Sequence, residues 1–303
     1  MLVGCKRYGR DVGGTGRAPN DGGGREFLRV SEQLRARLSD GFYHVGGMLP
    51  TQRELAAEFG VSRDTVQRVL RELVSEGWIE SRQGSGSRVL KTQRIHSSTA
   101  KDTRKGRVTL GPLIGEAFEH PEVSLDVYTL TSESLDTHIR LQAERIRTGS
   151  IAPQRINLRM LLPDDSLTLP YPRAVGETGD PLLLLKRMQD ITRRHTTSLQ
   201  SVLRALQAER YVPSVEIEIR HAPLTPTFKL YLFNGVEALH GPYEVIERRI
   251  ILDDGREVEA LDVLGLGATL MHHVRDGNED SQGSVFVDSM QSWFDSVWTR
   301  LAQ

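Results

Sequence analysis

The sequence has one cysteine in 303 residues, Cys5, which excludes a disulfide framework and any zinc site built on thiolates. Long hydrophobic runs are also missing. No apolar run exceeds four residues, as at Leu182–Leu185, far short of the ~20 that a membrane helix needs. The first residues lack the continuous apolar stretch of a secretory signal, so a cytoplasmic protein is expected. There is no internal repeat, no Walker-type loop, no Gly-x-Gly-x-x-Gly after a strand and no Gly-x-Ser-x-Gly elbow. Net charge is nearly absent too: 39 Lys+Arg against 40 Asp+Glu leave -1, which at first sight speaks against a nucleic-acid partner. What is present is 38% hydrophobic residues at a mean hydropathy of -0.37, enough for roughly two domains with real cores.

The organisation reads in four parts. Residues 1–24 contain eight glycines among Arg, Asp and Asn and are expected to be a disordered extension, because they cannot bury enough surface to offset ordering entropy. Order is expected from Arg25, with Phe27, Val30, Leu34 and Leu38 at helical spacing up to the break at Ser39-Asp40-Gly41. Two helices follow, about 52–59 with Thr51 and Glu54 at capping-box spacing, and 62–76 with Ser62 as N-cap. Gly60 turns between them. Residues 78–82 and 87–90 read as short strands joined by the flexible tip Gln83-Gly84-Ser85-Gly86. Residues 91–107 are a polar, basic linker, and residues 108–303 a mixed α/β domain.

The second of the two helices has an apolar face of Val66, Val69, Leu70 and Leu73. Its opposite face carries Arg63, Asp64, Gln67 and Arg71. Arginine and glutamine near a helix start suit base edges and phosphates of a major groove, and the helix terminus adds its own N–H groups. The segment Gly47-Met48-Leu49-Pro50-Thr51-Gln52-Arg53-Glu54-Leu55-Ala56 resembles the opening motif of the GntR family of winged helix-turn-helix repressors. Gly60-Val61-Ser62-Arg63-Asp64-Thr65-Val66, Leu70-Arg71-Glu72-Leu73, Glu76-Gly77-Trp78-Ile79 and the Gly84-Ser85-Gly86 wing follow in that family's order, so the resemblance covers residues 26–90. It implies DNA contact by Arg53, by Arg63 and Thr65 and by Gly84, with Ser62, Gln67, Arg68 and Ser85 completing the DNA-facing set. The family often has arginine where this chain has Gln67. Glutamine prefers adenine and arginine guanine, so the operator sequence is left open.

For residues 108–303 the strand-rich pattern excludes an all-helical metal-binding domain of such regulators. His272 and His273 are adjacent, so on a strand they point to opposite faces and cannot chelate together. No metal and no cofactor are expected. A helix 132–148 with Ser132 as cap, then a strand 155–162, is similar to a unit of phospholipase D-like domains, and the expected fold class is α/β (α+β overall) with that likeness. In that family an active half-site carries His-x-Lys-x4-Asp. Here Thr227-Phe228-Lys229 leads to Asn234-Gly235, with Gly241 at the expected second turn. Histidine has become Thr227 and aspartate Asn234, so the nucleophile is lost and the resemblance implies a catalytically dead copy. Thr227, Lys229 and Asn234 are then candidate ligands for a small anionic effector. His221 and His240, like the His272-His273 pair, read as ordinary surface or core histidines, and His195, beside Arg193 and Arg194, is expected to face solvent.

The expected protein is a non-enzymatic transcriptional regulator, a repressor in the first instance, binding a palindromic double-stranded DNA operator as a homodimer. A DNA-tethered phosphodiesterase-like enzyme, or a regulator whose second domain is a protein-interaction platform, are the rival readings. The charge balance fits the division. Residues 1–106 hold 19 Lys+Arg and 12 Asp+Glu, and residues 107–303 hold 20 and 28, so neutrality conceals a basic half and an acidic half.

Overall fold

The computed structural model describes residues 21–39, 41–75, 78–82, 86–90, 94–97, 110–176, 181–252, 256–263, 265 and 268–303. The N-terminal unit begins with helix α1 (Asp21–Ser39). This helix starts inside the glycine-rich stretch, four residues ahead of the expected Arg25. Helices α2 (Gln52–Phe59) and α3 (Arg63–Ser75) follow, then the hairpin β1 (Ile79–Arg82) and β2 (Gly86–Val89). The capping box forms as expected: Glu54 N donates to Thr51 Oγ1, and Thr51 N donates to Glu54 Oε2 at 2.8 Å. The bonds that Thr51 N and Thr51 Oγ1 donate to Oε2 hold the Glu54 carboxyl below its ordinary pKa. Gly60 ends α2 in the left-handed conformation at φ 64, where a side chain would be strained. Val30, Leu34, Leu38, Leu55, Val66, Leu73, Trp78 and Val89 bury together into one core.

Beyond it, β3 (Arg94–Ser97) lies within the segment expected to be plain linker, yet it pairs in parallel with a strand of the second unit. That unit contains α4 (Leu110–Ala117), β4 (Glu122–Tyr128), α5 (Glu133–Arg147), β5 (Arg155–Pro163), β6 (Arg173–Ala174) and α6 (Pro181–Ala208). It continues with β7 (Ser214–Ala222), β8 (Phe228–Phe233), β9 (Glu237–Pro242), β10 (Val245–Ile251), β11 (Glu257–Val263), β12 (Thr269–Val274) and α7 (Gln282–Arg300). Seven strands form one mixed sheet in the order β3-β12-β9-β8-β4-β5-β7, with β4, β5 and β7 parallel. A smaller sheet has the order β10-β11-β6.

Alternation along each strand builds two cores, one per face. Val123, Leu125, Val127, Ile156, Leu158 and Met160 bury against α4, α5 and α6. Tyr128, Leu161, Leu230 and Leu232 bury against Val287, Phe294, Val297 and Trp298 of α7. The second unit is therefore a three-layer α/β/α arrangement.

Candidate functional sites: an exposed helix face and a cavity at the strand ends

In the N-terminal unit, α3 buries Thr65, Val66, Val69, Leu70 and Leu73 and leaves Arg63, Asp64, Gln67, Arg68 and Arg71 exposed. The split follows from the 3.6-residue period of the sequence. Ser62 Oγ accepts from Thr65 N at 3.1 Å, so Ser62 is the N-cap, and the two hydroxyls lie 2.9 Å apart. Thr65 is thus buried and engaged at the helix start, whereas Arg63 and Gln67 stand clear. Arg68 lies at the edge of the exposed face, its guanidinium 4.8 Å from the Phe27 ring centroid. Arg53 is exposed on α2. The hairpin is extended by residues 46–49: Gly46 N donates to Val89 O, Val89 N to Gly47 O, and Leu49 N to Ser87 O, all at 2.8–2.9 Å. Gly84 and Ser85 lie outside the described residues.

In the second unit, Thr227, Lys229 and Asn234 all belong to β8 and its turn, but the structure does not gather them. Thr227 is exposed and its carbonyl accepts from Tyr243 N at 2.9 Å. Asn234 lies at the other end of β8, where its Oδ1 accepts from Ser124 N at 2.8 Å, tying the β8–β9 turn to β4. Gly241, expected in a turn, lies within β9, and a Cβ there would stand 2.3 Å from Thr269 O, so only glycine admits the neighbouring strand. Lys229 is buried beside the Tyr243 ring, with its ammonium 5.7 Å from the centroid. Burial pushes its pKa down to about 8, and Glu133 pulls in the opposite direction.

Glu133 and Tyr243 belong to the wall of a cavity of about 60 Å³ just beyond the carboxyl end of β4. It is walled by the start of α5, by α6 and by the small sheet and is partly open to solvent. Thr131, Glu133, Arg187, Arg248 and Asp262 supply its polar groups. Tyr243 Oη is anchored by Leu130 N at 2.8 Å and lies 3.0 Å from Thr129 Oγ1. Crevices at the carboxyl ends of parallel strands are where α/β sheets bind ligands. Sequence reasoning singled out Thr227, Lys229 and Asn234 on and beside β8 and did not single out Arg187, Arg248 or Asp262. Their only local signal was charge on otherwise apolar stretches.

Two further expectations change. Ser132 precedes α5 but makes no cap hydrogen bond, and its hydroxyl is buried without a partner. His195 does not face solvent: it is 4% exposed, and its Nδ1 donates to Asp136 Oδ2 at 2.9 Å. Ser198 Oγ donates to Asp136 Oδ1 at 2.6 Å and accepts from Arg140 Nε at 2.9 Å. Asp136 stands between the serine and the histidine, so the imidazole cannot take the Ser198 proton. The group bolts α5 to α6 and has no triad geometry.

The three helices and the two-stranded wing define a winged helix-turn-helix domain. Its family is found in a comparison with known proteins: residues 27–89 match the model of bacterial regulatory proteins, gntR family, so this domain is of the GntR type. The Uxu operon regulator of Haemophilus influenzae is 38% identical over 73 residues, 24% of this chain and 27% of its own length. The mannosyl-D-glycerate transport/metabolism system repressor of Escherichia coli is 40% identical over 70 residues, 23% and 29% of the two chains. This chain thus covers less than a third of these curated relatives. A crystal structure of the AraR DNA-binding domain with operator ORE1 is 34% identical, at a TM-score of 0.21, covering 21% of this chain and 78% of that one. Among the described residues no helix is long and apolar enough to cross a membrane.

Proposed function

We propose that the protein is a cytoplasmic transcriptional regulator that binds a palindromic DNA operator as a homodimer and represses transcription. The observation that carries this reading is the exposed Arg63, Gln67, Arg71 face of α3 beside the wing, on a helix whose other face is locked into the domain core. Arg63 and Gln67 read bases. Arg53, Arg68, Ser62 and the wing residues Gly84 and Ser85 position the phosphate backbone, and Thr65 sets the helix start. A single module makes too few base contacts for specificity, which favours two half-sites read by a dimer.

The second unit serves this reading as a dimerisation and ligand-sensing domain without catalysis. Its phospholipase D-like descent is part of the proposal and is supported by the α5–β5 succession and by Lys229 on β8. In that descent Thr227, Lys229 and Asn234 are the remnants of a half-site for an anion.

Operator selection from random duplexes, followed by titration at several salt concentrations, tests the reading. Arg63→Ala is expected to cost about 1–3 kcal/mol and relax one base position, whereas Arg53→Ala weakens all sequences alike and flattens the salt dependence. Equal loss on operator and random DNA in Arg63→Ala would remove Arg63 from base reading.

A further inference from the structure

We propose that the cavity between α5, α6 and the small sheet is the effector site, and that its ligand is a small monocarboxylate with a short aliphatic tail. The inference deepens the ligand-sensing part of the function proposed above and moves the site away from Thr227 and Asn234. Three observations carry it.

The wall is rich in hydrogen-bond donors. Arg187 and Arg248 each bring a guanidinium with five N–H groups, so even a paired one keeps donors to give. The start of α5 forms part of the same wall through Thr131 and Glu133, and the Ser132 side chain leaves it uncapped, so the positive end of the helix dipole adds to the donors.

The carboxylates of the wall are already answered. Asp262 Oδ2 accepts from Arg248 Nε at 2.7 Å and from its Nη2 at 2.5 Å. Glu133 accepts from Thr131 Oγ1 at 3.3 Å, and its charge acts on the Lys229 ammonium, whose pKa it raises against the effect of burial. Neither calls for a cationic ligand, so what the site lacks is an acceptor.

Size and polarity narrow the ligand. Leu184, Met188, Ile191, Ile250 and Val263 give the wall an aliphatic side. The recess is small, about 60 Å³, and partly open to solvent, which suits a ligand of a few heavy atoms. A fully charged phosphate would turn some of its oxygens toward the aliphatic side, whereas a carboxylate with a two- to three-carbon tail places each end against its own chemistry.

Isothermal titration of the full chain with butyrate and propionate tests this, against butylamine, butan-1-ol and inorganic phosphate as probes of charge and shape. Either carboxylate is expected to bind at least about tenfold more tightly than the amine, the alcohol and phosphate. Arg187→Met, which removes the donor, and Ile191→Trp, which fills the cavity, are each expected to weaken carboxylate binding by at least about tenfold with the circular dichroism unchanged. Neither carboxylate outranking the controls, or unchanged affinity in both folded variants, overturns the assignment. The ranking on the unaltered chain stands whether or not the variants fold. Operator binding by ligand-free protein is followed separately by fluorescence anisotropy, so a failed ligand site and a failed DNA-binding reading give different results.

Discussion

Asp126 illustrates how single residues hold the second unit together. It is a carboxylate 4% exposed on β4, facing α7. Arg159, on the neighbouring strand, donates Nε to Oδ1 at 2.7 Å and Nη2 to Oδ2 at 2.5 Å, and also reaches Asp295 on α7. The Asp126 bond raises the Arg159 pKa further above its ordinary value, so the guanidinium stays charged. Gln291 Nε2 adds a third donor to Asp126 at 2.8 Å. Arg159→Met leaves a buried charge with one neutral partner and is expected to cost about 3–5 kcal/mol. The double variant Asp126→Asn/Arg159→Met is expected to regain most of that loss, because the unpaired charge goes with it. Urea unfolding of the three variants checks this. If the double variant is as unstable as Arg159→Met, the cost came from lost packing of Arg159 over Phe294 and Trp298.

At the scale of elements, α7 covers two imidazoles that have little reason to be charged. His273 is 8% exposed and stacks on Phe286 with centroids 3.7 Å apart, and neither ring nitrogen has a hydrogen-bond partner. Burial, with His240 and His272 nearby, holds its pKa below the ordinary imidazole value, and burial lowers His240 as well. The unfolded chain therefore binds more protons than the folded one as pH falls through that value, so this contribution to stability is fully present well above about pH 6.5 and is lost progressively below it. The thermal midpoint is expected to drop between about pH 7 and about pH 5, and His273→Phe to flatten that drop. An identical slope in the variant would move the acid sensitivity elsewhere. These elements also show what the sequence could and could not reveal. Helix α3 and its exposed face were legible because a 3.6-residue stripe is a local property, and Thr51 and Ser62 announced their caps. Helix α4 was missed because Leu110-Gly111-Pro112-Leu113-Ile114-Gly115 has no polar face; five of its eight residues are buried, and it owes its form to packing. Strand β3 was hidden in basic linker sequence because its pairing partner, β12, lies 175 residues further on, from Arg94 to Thr269. The cavity was illegible for the same reason: its wall runs from Leu130 to Gly265, and only tertiary contact assembles it. His195 was misplaced because its neighbours Arg193 and Arg194 are exposed, while the helix turn carries the imidazole to the opposite face.

At the scale of the whole molecule, the two units meet through the helices that close the cavity. Helix α1 packs on α3 and also on α5. Glu72 of α3 is the charged hinge of this contact: its Oε1 accepts from Arg35 Nη2 at 2.9 Å and from Arg194 Nη1 of α6 at 3.2 Å. Helices α5 and α6 are themselves joined through Asp136, His195 and Ser198. A shift of α6 against α5 therefore reaches the recognition helix through Arg194 and α1 and needs no flexible segment. Such coupling is a differential free energy, so loosening the hinge must show itself even without ligand. Arg194 is half-exposed, so Arg194→Ala is expected to cost under about 1 kcal/mol of global stability. It leaves the buried Arg35–Glu72 pair in place. Hydrogen exchange of the full chain should nevertheless become faster in α1 and α3, while the parallel strands β4, β5 and β7 keep their protection. Unchanged exchange in α1 and α3 would make Arg194–Glu72 an ordinary solvated ion pair and leave the packing of α1 on α5 and of α3 on β10 as the links between the ligand cavity and the DNA-reading helix.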